Sequence, residues 1–95
     1  ARDKAIMSKA HESLGSAYLA MGMLDMAGRE YGEALGLGRR TDNIFIGLGI
    51  IYAERGMPER AVESFREALA INPENRNARA NLDRALRLTG ARDGD

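Results

Sequence analysis

The stretch Asp42 to Asn75, DNIFIGLGIIYAERGMPERAVESFREALAINPEN, decides the fold. It contains two amphipathic segments separated by Gly56-Met57-Pro58. Phe45, Leu48, Gly49 and Tyr52 recur at helical spacing in the first segment, and Ala61, Phe65, Ala68 and Leu69 in the second. Glycine relaxes the backbone where the first helix must stop, and proline in the first turn of the second loses no hydrogen bond. Asn72-Pro73 closes the unit, because a residue before proline is pushed out of the helical region.

The same frame occurs earlier in the chain, at a spacing of about 34 residues: Leu14-Gly15, Tyr18, Gly22, Ala27, Tyr31 and Ala34-Leu35. One period later Leu82 and Gly90 fall where Leu48 and Gly56 stood, with Asp83 in place of the glycine and Leu86 in place of the tyrosine. The chain therefore reads as two helix-turn-helix units followed by one further helix.

This pattern resembles the tetratricopeptide repeat, in which an aromatic, Leu-Gly, Tyr, Gly, Ala, Phe, Ala-Leu and Pro recur over about 34 residues. Phe45, Leu48-Gly49, Tyr52, Gly56, Ala61, Phe65, Ala68-Leu69 and Pro73 fill those places. The resemblance implies an all-α fold, a right-handed α-solenoid of antiparallel helix pairs with two repeats and a C-terminal capping helix. The expected divisions of a single domain over 1–95 are an extension of the first helix at 1–7, repeats at 8–41 and 42–75, a capping helix at 76–90 and a polar tail at 91–95. The expected core is Leu48, Gly49, Tyr52, Ala61, Phe65, Ala68 and Leu69 in the second repeat, and Leu14, Tyr18, Ala27, Tyr31 and Leu35 in the first.

The first helix is expected from Asp3 to about Met21, two turns earlier than such a repeat needs. Ile6 and Met7 lie in the added turns. Two readings stay open for them: folding back on the neighbouring helix, or contact with a missing upstream segment or another subunit. Met21, Met23 and Met26 are expected to fill gaps in the core. Gly28, Gly32 and Gly36 form a stripe in the second helix, about 24–37. Each costs up to about 1 kcal/mol against alanine, and a tolerated stripe on the outer face is favoured over a groove for another helix. Gly38 is expected to cap this helix in the left-handed conformation, with Arg39-Arg40 near its negative end. The last helix, from Asn75 to Thr89, carries Ala78, Leu82, Ala85, Leu86 and Leu88 and is polar elsewhere, as the end of a repeat array must be.

Fourteen basic residues balance fourteen acidic ones, so no net field draws the chain to nucleic acid or to an anionic membrane. Glu54, Glu59, Glu63, Glu67 and Glu74 make the central repeat acidic, and Arg76, Arg79, Arg84 and Arg87 make the last helix basic. There is no cysteine, hence no disulfide framework or thiolate metal site. No apolar run is long enough to span a bilayer and no signal sequence is visible. The chain opens at Ala1 without methionine. A cytoplasmic location is expected, with a periplasmic or membrane-associated one through missing upstream sequence staying open.

Chemistry is sparse. His11, the single histidine, stands where Phe45 stands in the next repeat and reads as a structural or partly exposed side chain. Ser8, Ser13 and Ser16 lack the base and orienting residue of a nucleophilic site. The glycines lack the following lysine of a phosphate loop. Glu59, Glu63, Arg66 and Glu67 read as a solvated face with a weak Glu63–Arg66 pair. Neither enzymatic activity nor a metal or cofactor is expected.

Stacked helix pairs form a concave surface lined by the first helix of each pair, where the resemblance implies a groove for a peptide or helix of a partner protein. That groove is expected to carry Lys9, Glu12, Ser16, Leu19, Asn43, Ile46, Ile50, Asn77, Ala80, Arg84 and Arg87. One branch of the family clamps acidic C-terminal tails of heat-shock chaperones with lysines, asparagines and an arginine. Glu12, Ser16, Gly47, Asn77 and Asn81 stand at the matching places, so that specificity is not implied here. An apolar floor of Leu19, Ile46 and Ile50 between Glu12 and the Arg84–Arg87 pair suits apolar anchors with an acidic group near the last helix. The competing expectation is structural self-assembly, as a homo-oligomer through Ile6 and Met7 or as one end of a longer array.

Overall fold

A computed structural model describes residues 2–90, which form five helices: α1 (Arg2–Ala20), α2 (Leu24–Gly36), α3 (Asp42–Glu54), α4 (Pro58–Ile71) and α5 (Arg76–Thr89). No strand occurs among the described residues. The polar tail expected at 91–95 lies outside them. Each helix packs on its neighbour within a pair, α1 on α2 and α3 on α4, and α5 packs on α4. α1 also touches α3, and α3 touches α5. The result is an α-solenoid of helix pairs measuring 45 × 26 × 19 Å.

The turns repeat as faithfully as the helices. Gly22, Gly56 and Gly90 each take a positive φ, 76°, 73° and 76°, which glycine adopts without a Cβ penalty. After the first two, the Met23 amide donates to the Tyr18 carbonyl and the Met57 amide to the Tyr52 carbonyl, both at 2.9 Å. These six-to-one bonds satisfy carbonyls the helix end would leave unpaired. Thr41 and Asn75, one repeat apart, cap α3 and α5 by accepting from the Ile44 and Ala78 amides at 3.1 and 3.0 Å.

The core lies between the layers. Ala61, Val62 and Phe65 of α4 pack on Leu82, Ala85 and Leu86 of α5, with Leu69 and Tyr52 partly buried against them. Ala27, Tyr31 and Ala34 of α2 pack on Ile44 and Ile51 of α3, with Tyr18, Leu35 and Leu48 alongside. Gly49 is buried because the Phe65 ring occupies the space a Cβ would need.

Three expectations need correction. Leu14 is 45% exposed instead of central, because no described helix covers its side of α1. Met21, Met23 and Met26 are likewise exposed, Met23 and Met26 in a surface cleft beside Arg55, and fill no core gap. Arg39 and Arg40 follow the capping Gly38 (φ 89°). Their guanidinium groups bond elsewhere, Arg39 to Glu12 and Arg40 to Glu67, since a carboxylate offers a full negative charge and a helix-end carbonyl only a partial one. Of the glycine stripe, Gly32 and Gly36 face outward, where a Cβ would meet nothing within 4 Å, whereas Gly28 is half-buried and a Cβ there would meet Ile51 Cδ1 at 4.0 Å.

Candidate partner-binding groove

The first helices of the pairs, α1, α3 and α5, touch in sequence and make one continuous layer. Its central floor is Ile46 and Ile50 of α3, both half-buried against the core beneath. Leu19 of α1 is half-buried against the first-repeat core. Lys9, Asn43, Asn77, Ala80, Arg84 and Arg87 are exposed.

The α1 end of this layer is a closed polar network. The Glu12 carboxylate accepts from Arg39 Nε at 2.5 Å, from Thr41 Oγ1 at 2.9 Å and from Asn43 Nδ2 at 2.9 Å. Asn43 Nδ2 also reaches Ser16 Oγ at 3.1 Å, and Ser16 Oγ pairs with Tyr31 OH at 3.2 Å. Burial alone would raise the Glu12 carboxyl, but the hydrogen bonds from Arg39, Asn43 and Thr41 outweigh it and hold it below the ordinary value. Burial pushes the Tyr31 phenol up, against the lowering effect of its bond to Ser16. Glu12, Ser16 and Asn43, which the sequence placed along the groove as separate contacts, are thus joined to one another.

The α5 end is open. A cleft of about 370 Å³ lies between α3, α4 and α5, lined by Ile50, Ala53, Glu54, Phe65, Asn81, Arg84, Ala85 and Leu88. Arg84 is the one cation on its wall, and its Nη1 lies 3.4 Å from Asn81 Oδ1. Arg87, next along the expected set, is exposed but outside the cleft. Ala53, Glu54 and Leu88 belong to the wall although the sequence reading did not select them. They stand three or four residues from Ile50 or Arg84, the helical spacing that would have marked them.

Two further polar contacts tie the helices together. His11 Nδ1 lies 2.6 Å from Glu30 Oε1, tying α1 to α2. Asp42 accepts from Asn72 Nδ2 at 3.0 Å and Asn75 Nδ2 at 2.9 Å, which hold its carboxyl below the ordinary value. No group of three or more His, Cys, Asp or Glu side chains that could hold a metal occurs among the described residues. None of their helices is long and apolar enough to cross a membrane.

Stacked helix pairs with a repeated glycine turn, a repeated cap and a layer of first helices define a helical-repeat protein. The tetratricopeptide repeat family model matches residues 43–75. The chain is 33% identical over 73 residues to Tetratricopeptide repeat protein 14 of Mus musculus, an alignment covering 77% of this chain. The chain spans about a tenth of that relative, 10% of its length. The chain belongs to the tetratricopeptide repeat family. Repeats of this family are in general protein–protein interaction modules without catalysis of their own.

Proposed function

We propose that the chain holds a segment of a partner protein across the layer formed by α1, α3 and α5. The open cleft beside Ile50, with an apolar floor and Arg84 on its wall, carries this reading. A segment with an aliphatic or aromatic anchor would seat it over Ile50, Phe65 and Ala85. An acidic group close by would meet Arg84, with Arg87 adding to the local positive field. Asn77 and Ala80 extend the surface along α5, Ile46 and Asn43 along α3, and Leu19 and Lys9 along α1. The Glu12 network supports the groove at its α1 end by fixing α1 to the start of α3. The partner is a protein, and neither nucleic acid nor a cofactor enters this reading.

Site-specific photo-cross-linking tests it. A cross-linker at Ala80 in the groove should capture a partner segment that the same group at Gly32, on the outer face, does not. Equal capture from both positions, or capture from Gly32 alone, removes the groove assignment.

A second reading is self-assembly, favoured by the exposure of Ile6 and Met7 on α1. Leaving aliphatic side chains in water forgoes about 1.5–3 kcal/mol each.

A further inference from the structure

Each repeat step presents the same stripe of its first helix. On α3 it is Ile44, Leu48 and Ile51, on α5 Ala78, Leu82 and Ala85, and on α1 Ala10, Leu14 and Ala17. On α3 and α5 these side chains are buried or half-buried, packed among residues of the preceding helix pair. On α1 all three are exposed. Met7, also exposed, extends the stripe towards the start of α1, exposed Met21 follows directly on its last residue, Ala20, and Ile6 flanks the stripe.

The positions 7, 10, 14, 17 and 21 alternate steps of three and four, which is the seam of a coiled coil. The seam carries no charge and reads Met-Ala-Leu-Ala-Met from either end, centred on Leu14. At 1.5 Å of rise per residue the part from Met7 to Ala17, within α1, runs about 15 Å, and Met21 sits just past the helix end. A two-fold interface requires a patch that is its own complement; the seam approaches that, with the methionines seven residues either side of Leu14 and the alanines four before and three after it. Antiparallel pairing about Leu14 would set Met7 of each copy against Met21 of the other. The alanines would let the helix axes approach while the two leucines fill the centre. Each α1 macrodipole would also lie against its opposite end.

We propose that the Met7, Ala10, Leu14, Ala17 and Met21 seam is a homodimer interface in which two copies of α1 pack antiparallel about a two-fold axis at Leu14. The proposal rests on the self-assembly reading and is independent of the groove. It gives the open face of α1 the kind of cover that the equivalent faces of α3 and α5 already have.

The chain has no cysteine, so a single introduced thiol reports its own neighbour. Under mild oxidation Leu14→Cys should cross-link to itself. Met7→Cys alone should not, whereas a mixture of Met7→Cys and Met21→Cys should join. In sedimentation equilibrium Leu14→Glu should raise the dimer dissociation constant at least about a hundredfold, since two buried leucines are lost per dimer. Leu14 is exposed in the single chain, so the variant's circular dichroism should match the parent's. A parent that stays monomeric at several hundred micromolar overturns both self-assembly and the seam. That is also the outcome if a preceding helix pair is what covers this face. A parent dimer that Leu14→Glu does not weaken, or that cross-links Met7→Cys to itself, overturns the seam alone.

Discussion

The ring of Tyr31 lies against the bare backbone of Gly47, so closely that a Cβ on Gly47 would stand 2.5 Å from the ring carbons. The second helix of one repeat thereby packs on the first helix of the next without a side chain between them. Gly47→Ala should lower stability by about 1–3 kcal/mol through overpacking, less up to about 1 kcal/mol of gained helix propensity. Gly32→Ala, with open space around it, should raise stability by up to about 1 kcal/mol. Urea unfolding of the two variants checks the opposite signs.

How much of this was legible in the sequence differs residue by residue. The repeat frame of Leu48, Tyr52, Gly56, Ala61 and Phe65 depends on local spacing, and it led directly to the helices and turns. Whether an apolar face is covered depends on a neighbouring helix that the face itself does not encode. Leu14, Met21, Met23 and Met26 therefore looked like core residues and are exposed. Ile44 and Ile51 are buried yet did not stand out, because α3 is apolar round most of its circumference and its periodicity is washed out. In the groove, the residue types on each helix were readable. The Glu12 network was not, because it joins positions up to 31 residues apart.

Glu12 should make stability depend on pH. Its folded carboxyl lies below the ordinary value, so its contribution is present above the unfolded pKa and is lost as pH falls through the folded one. Asp42, lowered by Asn75 and Asn72, acts with the same sign. Stability should therefore decline on acidification from the ordinary carboxylate range downward. Glu12→Gln should flatten part of that decline while costing about 1–3 kcal/mol at neutral pH. Thermal unfolding of both proteins from neutral to acid pH checks it, and parallel pH curves would contradict it.

Asn75 both caps α5 and binds Asp42, so Asn75→Ala removes two fixings of the last helix at once. A loss of about 0.5–2 kcal/mol is expected from the cap alone. Because α5 covers only one side of the core, the loss should appear first as faster amide exchange across Arg76–Thr89, with α1 and α2 little changed. Uniform acceleration over all five helices would contradict that placement.

The positive end of the groove yields the last prediction. Replacing both Arg84 and Arg87 with Glu should leave thermal stability within about 0.5 kcal/mol of the parent, since both side chains are exposed.

Calorimetric titration of the segment captured at Ala80 against the parent and the Arg84→Glu/Arg87→Glu variant, each at low and high salt, tests the groove most directly. The parent should bind more weakly as salt rises. The variant should bind about tenfold more weakly at low salt and should regain affinity as salt rises, because like charges are then screened. Equal affinity of the two proteins, with the same dependence on salt, would contradict the assignment of the α1, α3 and α5 layer as the partner-binding surface.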